Sequence, residues 1–262
     1  MYVKPKKQLG QHFLRNDDIC QQISQSLIHP ESFTQILEIG PGTGALTKHL
    51  LNWAEKELRV IEIDPESVAY LNAFFPSLRG KIIEKDILRL PIEEVMPGQV
   101  AVIGNFPFNI SSQILFWMLD HKESIPQLVG MFQREVAKRI TGGPVNKDYG
   151  ILSVLVQAYY EAEYLFTVDE HEFDPPPKVK SGVIRLIRKT EQSLGCDPKL
   201  FKTVVKTAFN QRRKIMRNSL KSLIESKELL ADDIFVKRPE QLSVAQFVDL
   251  TNRIAASRES KQ

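Results

Sequence analysis

From about residue 35 the hydrophobic positions fall into short continuous runs separated by amphipathic stretches. Ile36-Leu37-Glu38-Ile39, Leu58 to Ile63, Lys81-Ile82-Ile83, Val100 to Gly104 and Leu128 to Phe132 read as strands. Such apolar runs, lacking a polar alternate face, suit strands covered on both sides. Ala45 to Trp53, Glu66 to Phe74, Ser111 to Leu119 and Ile151 to Tyr160 carry helical spacing. The alternation predicts an α/β fold of right-handed βαβ units around a parallel sheet. Upstream, a basic arm passes through a turn at Gly10-Gln11-His12 into a helix from about Asp17 to Ile28. Asp17 and Asp18 place carboxylates where a helix N-terminus has unsatisfied N–H groups.

After Tyr164 the pattern changes. Tyr164 to Val168 and Val183 to Leu186 are strand-like with no helix between them, and they flank Pro175-Pro176-Pro177. They are expected as an antiparallel pair at the sheet edge. Lys189 to Pro198 reads as a linker, and beyond it the chain reads as helical to Arg258. The expected domains are 1–188, carrying the sheet, and a small all-helical 189–262.

Composition narrows the class without naming a function. Apolar residues at 42% and charged residues at 26% are ordinary for a soluble globular protein, which sets aside fibrous and disordered classes. No apolar stretch approaches the ~18 residues of a spanning helix, and no apolar core follows the basic start as in a signal peptide. Cys20 and Cys196 are isolated and lack metal-ligand spacing, which fits a reducing, cytoplasmic setting without a membrane.

The chemistry concentrates at predicted strand ends. Glu38-Ile39-Gly40-Pro41-Gly42-Thr43-Gly44 joins the first strand to the first helix, where glycines let backbone approach a ligand. The G-x-G-x-G spacing differs from the G-x-G-x-x-G of pyrophosphate-binding folds. A tight turn alone would also account for it. Glu62, at the end of the second strand, suits ribose hydroxyls, and Asp86, past the third, suits an adenine amine. Asp64 competes with Glu62, but Pro65 after it suits a helix N-cap instead. Three such features at adjacent strand ends favour a nucleoside cofactor.

Asn105-Phe106-Pro107-Phe108 closes the fourth strand. An aryl amine is a weak nucleophile because its lone pair is delocalised. The Asn105 side-chain oxygen and the Pro107 carbonyl can each accept one N–H, which frees that lone pair for a sulfonium methyl group. Phe108 can stack on the base, and Phe173, ahead of the stiff Pro loop, can cover the other face. The transfer is then a displacement assisted by position and oriented dipoles, with no metal required. A Pro turn with core phenylalanines, and Phe173 as a mere loop anchor, are the plain alternatives.

At these residues a family resemblance emerges. The tetrapeptide resembles the N/D-P-P-Y/F and N-L-P-Y motifs of amino-group methyltransferases. Nearly the whole chain is similar to the ribosomal RNA adenine dimethyltransferases, the kasugamycin-sensitivity enzymes of the small subunit. The similarity runs through Lys7 to Leu14, Glu38 to Gly44, Asn105 to Ser111, Gln133 to Ala137, Phe173 to Val179, Ala208 to Lys214 and Arg238 to Ser243. The resemblance implies a Rossmann-like seven-stranded methyltransferase sheet with S-adenosylmethionine as methyl donor. It implies that His12 and Leu14 close over the cofactor, that Gly40, Glu62 and Asp86 bind it, and that Asn105 touches cofactor and target amine. The implied reaction is dimethylation of the N6 amines of two adjacent adenosines in a hairpin loop near the 3′ end of small-subunit (16S) rRNA, within a pre-30S particle. Phe106 and Phe108 replace the usual leucine and tyrosine, and His12 the more frequent asparagine. Two alternatives stand: a large-subunit enzyme of the macrolide-resistance type, and a mainly non-catalytic assembly factor. A monomer is the simplest expectation.

The net charge of +3 is mild, but its distribution is not. From Pro198 to Ile224 there is no acidic residue, while Arg212, Arg213, Lys214, Arg217 and Lys221 are among eight cations. Such a run suits phosphate binding, and Lys4, Lys6, Lys7, Lys178 and Lys180 are expected to extend it.

Overall fold

The computed structural model of the chain describes residues 2–191, 193–224, 226 and 228–259. The described residues form nine strands: β1 (Phe13–Leu14), β2 (Gln35–Ile39), β3 (Glu57–Ile61), β4 (Ile82–Ile83), β5 (Val100–Asn105), β6 (Gln127–Gln133), β7 (Tyr160–Val168), β8 (Phe173–Asp174) and β9 (Ser181–Arg188). Seven make one sheet in the order β4-β3-β2-β5-β6-β9-β7. The β4-β3-β2-β5-β6 stretch is parallel, and β9 runs antiparallel to β6. The expected edge pair is therefore an insertion as well, since β9 pairs with the parallel set and β7 takes the edge. The order reverses at β2, where β3 lies on one side and β5 on the other, and a doubly wound sheet opens its ligand crevice at such a point.

Buried sequence explains the sheet. All five residues of β2 are buried, as are the first five of β5, so both faces are covered by helices. Ile36, Val60, Ala101, Ile103 and Val129 contribute to one core with Leu50, Leu71 and Ile23 from the helices. Helix starts follow capping chemistry. The Asn16 side chain accepts from Ile19 N–H at 3.2 Å to open the Asp17–Gln25 helix, which ends earlier than its periodicity suggested. Asp64 caps the Pro65–Phe74 helix. The helix expected from Ala45 is regular only over Thr47–Leu50, because the preceding residues are spent on the glycine turn.

The chain divides into two compact units, 1–137 with 162–188, and 138–161 with 189–262. The second thus includes the Ile151–Tyr159 helix, which the sequence reading kept with the sheet. That helix packs with the Pro198–Asn210 and Val244–Glu259 helices, and Phe209 meets Tyr149 and Phe247 with ring centroids 6.2 and 5.9 Å apart. Between those long helices the described residues form one short α-helix, Met216–Ser219, and 3-10 turns. The uniformly helical reading was too regular there. Among the described residues no helix is long and apolar enough to cross a membrane.

Candidate active site

The strand ends of the first unit open onto a cleft with about 960 Å³ of empty space, its mouth included. His12, Gly40, Glu62, Asp86, Asn105, Pro107 and Phe108 all line it, so most of the expected site converges there. Its floor is the glycine turn. Gly42 has φ +56°, and a Cβ there would sit 2.7 Å from the Phe13 ring, so only glycine admits this approach.

Glu62 is buried, and both of its carboxylate oxygens accept backbone N–H groups. Its Oε2 accepts from Gly42 N–H at 3.1 Å, and its Oε1 accepts from the N–H groups of Ile63 and Asp64, both at 2.9 Å. Burial pushes its carboxyl above the usual range, with those N–H groups opposing the shift. Asp86 also lines the cleft and accepts from Leu88 N–H at 3.0 Å. Ile63 is an apolar wall the sequence reading passed over: it lines the cleft yet is 55% exposed. Its only sequence signal was an apolar residue placed directly after the strand-end acid.

Asp64 does not line the cleft. It is wholly buried and accepts from Glu66 N–H at 3.2 Å, Ser67 Oγ at 3.1 Å, Gln11 Nε2 at 3.1 Å and the Lys6 ammonium. Burial alone would raise its carboxyl, but these donors outweigh it and hold the carboxyl low. Asp64 thus takes the helix cap, and Glu62 is the one of the two acids that lines the cleft. Asp64 is also a latch, because Lys6 and Gln11 belong to the arm whose residues Leu9 to Phe13 form one wall of the cleft.

Asn105 is held from that wall. Its Nδ2 donates to the His12 carbonyl at 2.9 Å. A carbonyl can only accept, so the amide nitrogen must face it and the amide oxygen becomes the acceptor end. The His12 ring contacts the Pro175 carbonyl through Nδ1 at 2.7 Å and lies 5.5 Å from the Phe108 ring. The Pro107 carbonyl already accepts from Ile110 N–H at 3.1 Å, which fixes its direction and leaves one lone pair.

Phe106 is 1% exposed and fills a slot between two glycines paired across β5 and β6. A Cβ would lie 2.8 Å from its ring at Gly104 and 2.2 Å at Gly130. Its ring meets Phe132 edge-on at 5.1 Å and 75°.

Three expectations need correction. Phe173 does not face the cleft: at 2% exposure its ring belongs to the core, because pairing of β8 with β1 turns it inward. The Leu14 side chain packs in the same core opposite Phe173, and its neighbour Phe13 lines the cleft instead. Two cations assigned to a basic rim are occupied: Lys6 bridges Asp64 and Glu66, and Lys180 pairs with Asp169. In the second unit Arg213, Lys214, Arg217 and Lys221 are exposed. Arg212 is half-buried and donates to the Lys147 carbonyl at 2.6 Å, while Arg217 donates to the Leu230 carbonyl at 3.0 Å.

Buried Glu38 anchors the turn from behind. Thr47 Oγ1 donates to its Oε2 at 2.6 Å, and burial pushes its carboxyl up to about 8.

Comparisons with known proteins converge on one description. The family model described as ribosomal RNA adenine dimethylase matches residues 3–256. A ribosomal RNA small subunit methyltransferase A from Parabacteroides distasonis is 58% identical over 95% of this chain and 93% of its own. One from Flavobacterium johnsoniae is 56% identical over 97% of each chain. Among solved structures, a dimethyladenosine transferase from Plasmodium falciparum superposes with a TM-score of 0.79 at 23% identity, covering 94% of this chain and 98% of that one. The 23S rRNA methyltransferase ErmE gives 0.66 at 24% identity, covering 92% and 99%. These last two share the fold, a Rossmann-like methyltransferase sheet with a helical C-terminal region. The chain belongs to the ribosomal RNA adenine dimethylase family.

Proposed function

We propose that this chain is an rRNA adenine dimethyltransferase, which transfers methyl groups to the N6 amines of two adjacent adenosines in a hairpin loop near the 3′ end of small-subunit rRNA. S-adenosylmethionine, when bound, supplies the methyl group on a sulfonium. The residues present fit that group. Glu62 is a buried acceptor at the cleft for hydroxyls, Asp86 suits an amine edge, and Ile63 offers an apolar face. Gly40 and Gly42 keep the floor free of side chains.

The observation that carries the reading is the Asn105 carboxamide. Tied by its nitrogen to the His12 carbonyl, it leaves its oxygen as the acceptor end of a side chain that lines the cleft. With the Pro107 carbonyl as second acceptor, the two N–H groups of an adenine amine are bound and its lone pair is localised for attack. Phe108, steadied by the His12 ring, gives the base a stacking face. Catalysis then rests on position and dipoles that need no rearrangement. The partner is small-subunit rRNA in a pre-30S particle, and the chain acts as a cytoplasmic monomer.

An Asn105→Ala variant tests the role. It should bind under-methylated small subunits like the parent and lose methyl transfer by about 100-fold or more. Near-full turnover would remove Asn105 from the mechanism.

A further inference from the structure

The loop that closes β5 and the arm along the cleft are pinned to each other at two points. Asn105 Nδ2 donates to the His12 carbonyl at 2.9 Å, and Asn109 Nδ2 donates to the Gln8 carbonyl at 3.3 Å. The later donor meets the earlier acceptor, so the two segments run antiparallel between the pins. Both pins have the same chemistry. A backbone carbonyl only accepts, and so dictates which end of each carboxamide faces it.

The backbone around the second pin is shaped to admit it. Gly10 has φ +63° and closes the short Lys7–Leu9 turn by donating its N–H to the Lys7 carbonyl at 3.0 Å. A Cβ at that position would stand 2.7 Å from Asn109 Oδ1 and 3.1 Å from its Cγ. The glycine therefore serves the turn and also lets the Asn109 carboxamide lie against the arm. On the other side the loop is braced by Ile110 N–H and Ser111 Oγ, which donate to the Pro107 and Phe108 carbonyls at 3.1 and 3.2 Å. Asn109 and Gly10 both line the cleft, together with Phe108 and His12. Asn109 is itself exposed, so its carboxamide is not there to satisfy a buried group.

A single pin at His12 would let the arm pivot about that carbonyl, and the Asn105 carboxamide would turn with it. We infer that Asn109 is a positioning residue for methyl transfer: with Gly10 it clips the arm to the reaction loop, and so fixes the His12 carbonyl that orients Asn105. This rests on the amine-acceptor role of Asn105 proposed above. The arm then has two fasteners with separate duties. Lys6 and Gln11 hold it to Asp64, next to the Glu62 strand end, and Asn109 holds it to the loop that receives the amine. Rate depends steeply on orientation at the reacting centre, so loosening the second fastener lowers turnover and leaves donor binding alone.

Single-turnover methyl transfer to under-methylated small subunits, with donor and subunits saturating, tests this. Asn109→Ala should slow transfer about fivefold, the net worth of one hydrogen bond, with Kd for the methyl donor changed by less than about twofold. Gly10→Ala intrudes on the pin from the arm side and should slow transfer as much. The double variant should be no slower than the slower single, because both changes break one pin. Added to Asn105→Ala, Asn109→Ala should cost nothing further. A parent-like rate for Asn109→Ala, losses that multiply in the double variant, or a further loss on top of Asn105→Ala would overturn the inference. Near-full turnover by Asn105→Ala alone would instead overturn the amine-acceptor reading, and this role with it.

Discussion

Phe106 gives the sharpest quantitative test of the site's architecture. Its ring occupies space that Gly104 and Gly130 vacate, with the nearest ring atom 2.2 Å from where an alanine methyl at position 130 would stand. Replacing Phe106 with leucine removes part of a buried ring and its edge-on contact with Phe132, at a cost of about 1–2 kcal/mol on the scale of large-to-small core changes. Gly130→Ala overpacks the same slot and costs about 1–3 kcal/mol. In the double variant the new methyl enters the volume the ring has left. Its cost should fall below the sum of the singles by about 1–2 kcal/mol, the range found for residues in contact. Urea unfolding of the four proteins measures this coupling. Phe106 lies between Asn105 and Pro107, so single-turnover methyl transfer should drop in Phe106→Leu and partly recover in the double variant. Additivity within about 0.5 kcal/mol would refute the shared slot.

Three further outcomes are expected. Lys6→Met frees the arm from Asp64 and Glu66, and should raise KM for the methyl donor roughly tenfold with kcat little changed; an equal fall in kcat would argue against a latch. Glu38 has its carboxyl raised to about 8, so the folded state keeps a proton that the unfolded state releases from about pH 4.5. Its contribution to stability is full below that pH and is lost as pH rises towards 8, at about 1.4 kcal/mol per pH unit at most. Glu38→Gln should flatten that decline, and parallel stability-pH curves would contradict the burial argument. Arg213→Ala with Lys214→Ala should weaken RNA binding and reduce the slope of log K against log salt by about 1.4, at ~0.7 per contact with single-stranded RNA. Arg212 is unsuited to this assay because its guanidinium supports the Lys147 loop.

Sequence periodicity revealed the sheet because its central strands are apolar throughout and its helices are not. It located the cleft because glycines, acids and Asn105 all lie at strand ends. It misplaced residues whose orientation depends on pairing across the chain. Phe173 and Leu14 turn inward only because β1 and β8 form a two-residue ribbon, too short to show alternation. Lys6 reads as a free cation until folding carries it to Asp64, 58 positions away in sequence.

Methylation of small-subunit rRNA adenines at this cleft is read directly from the methylated product. Purified protein is given radiolabelled methyl donor and, separately, under-methylated small subunits, large subunits and duplex DNA. Label should appear as N6,N6-dimethyladenosine in small-subunit RNA alone, and disappear with Asn105→Ala. Label in large-subunit RNA or DNA would overturn the substrate, and undiminished label with Asn105→Ala would overturn the role of the cleft.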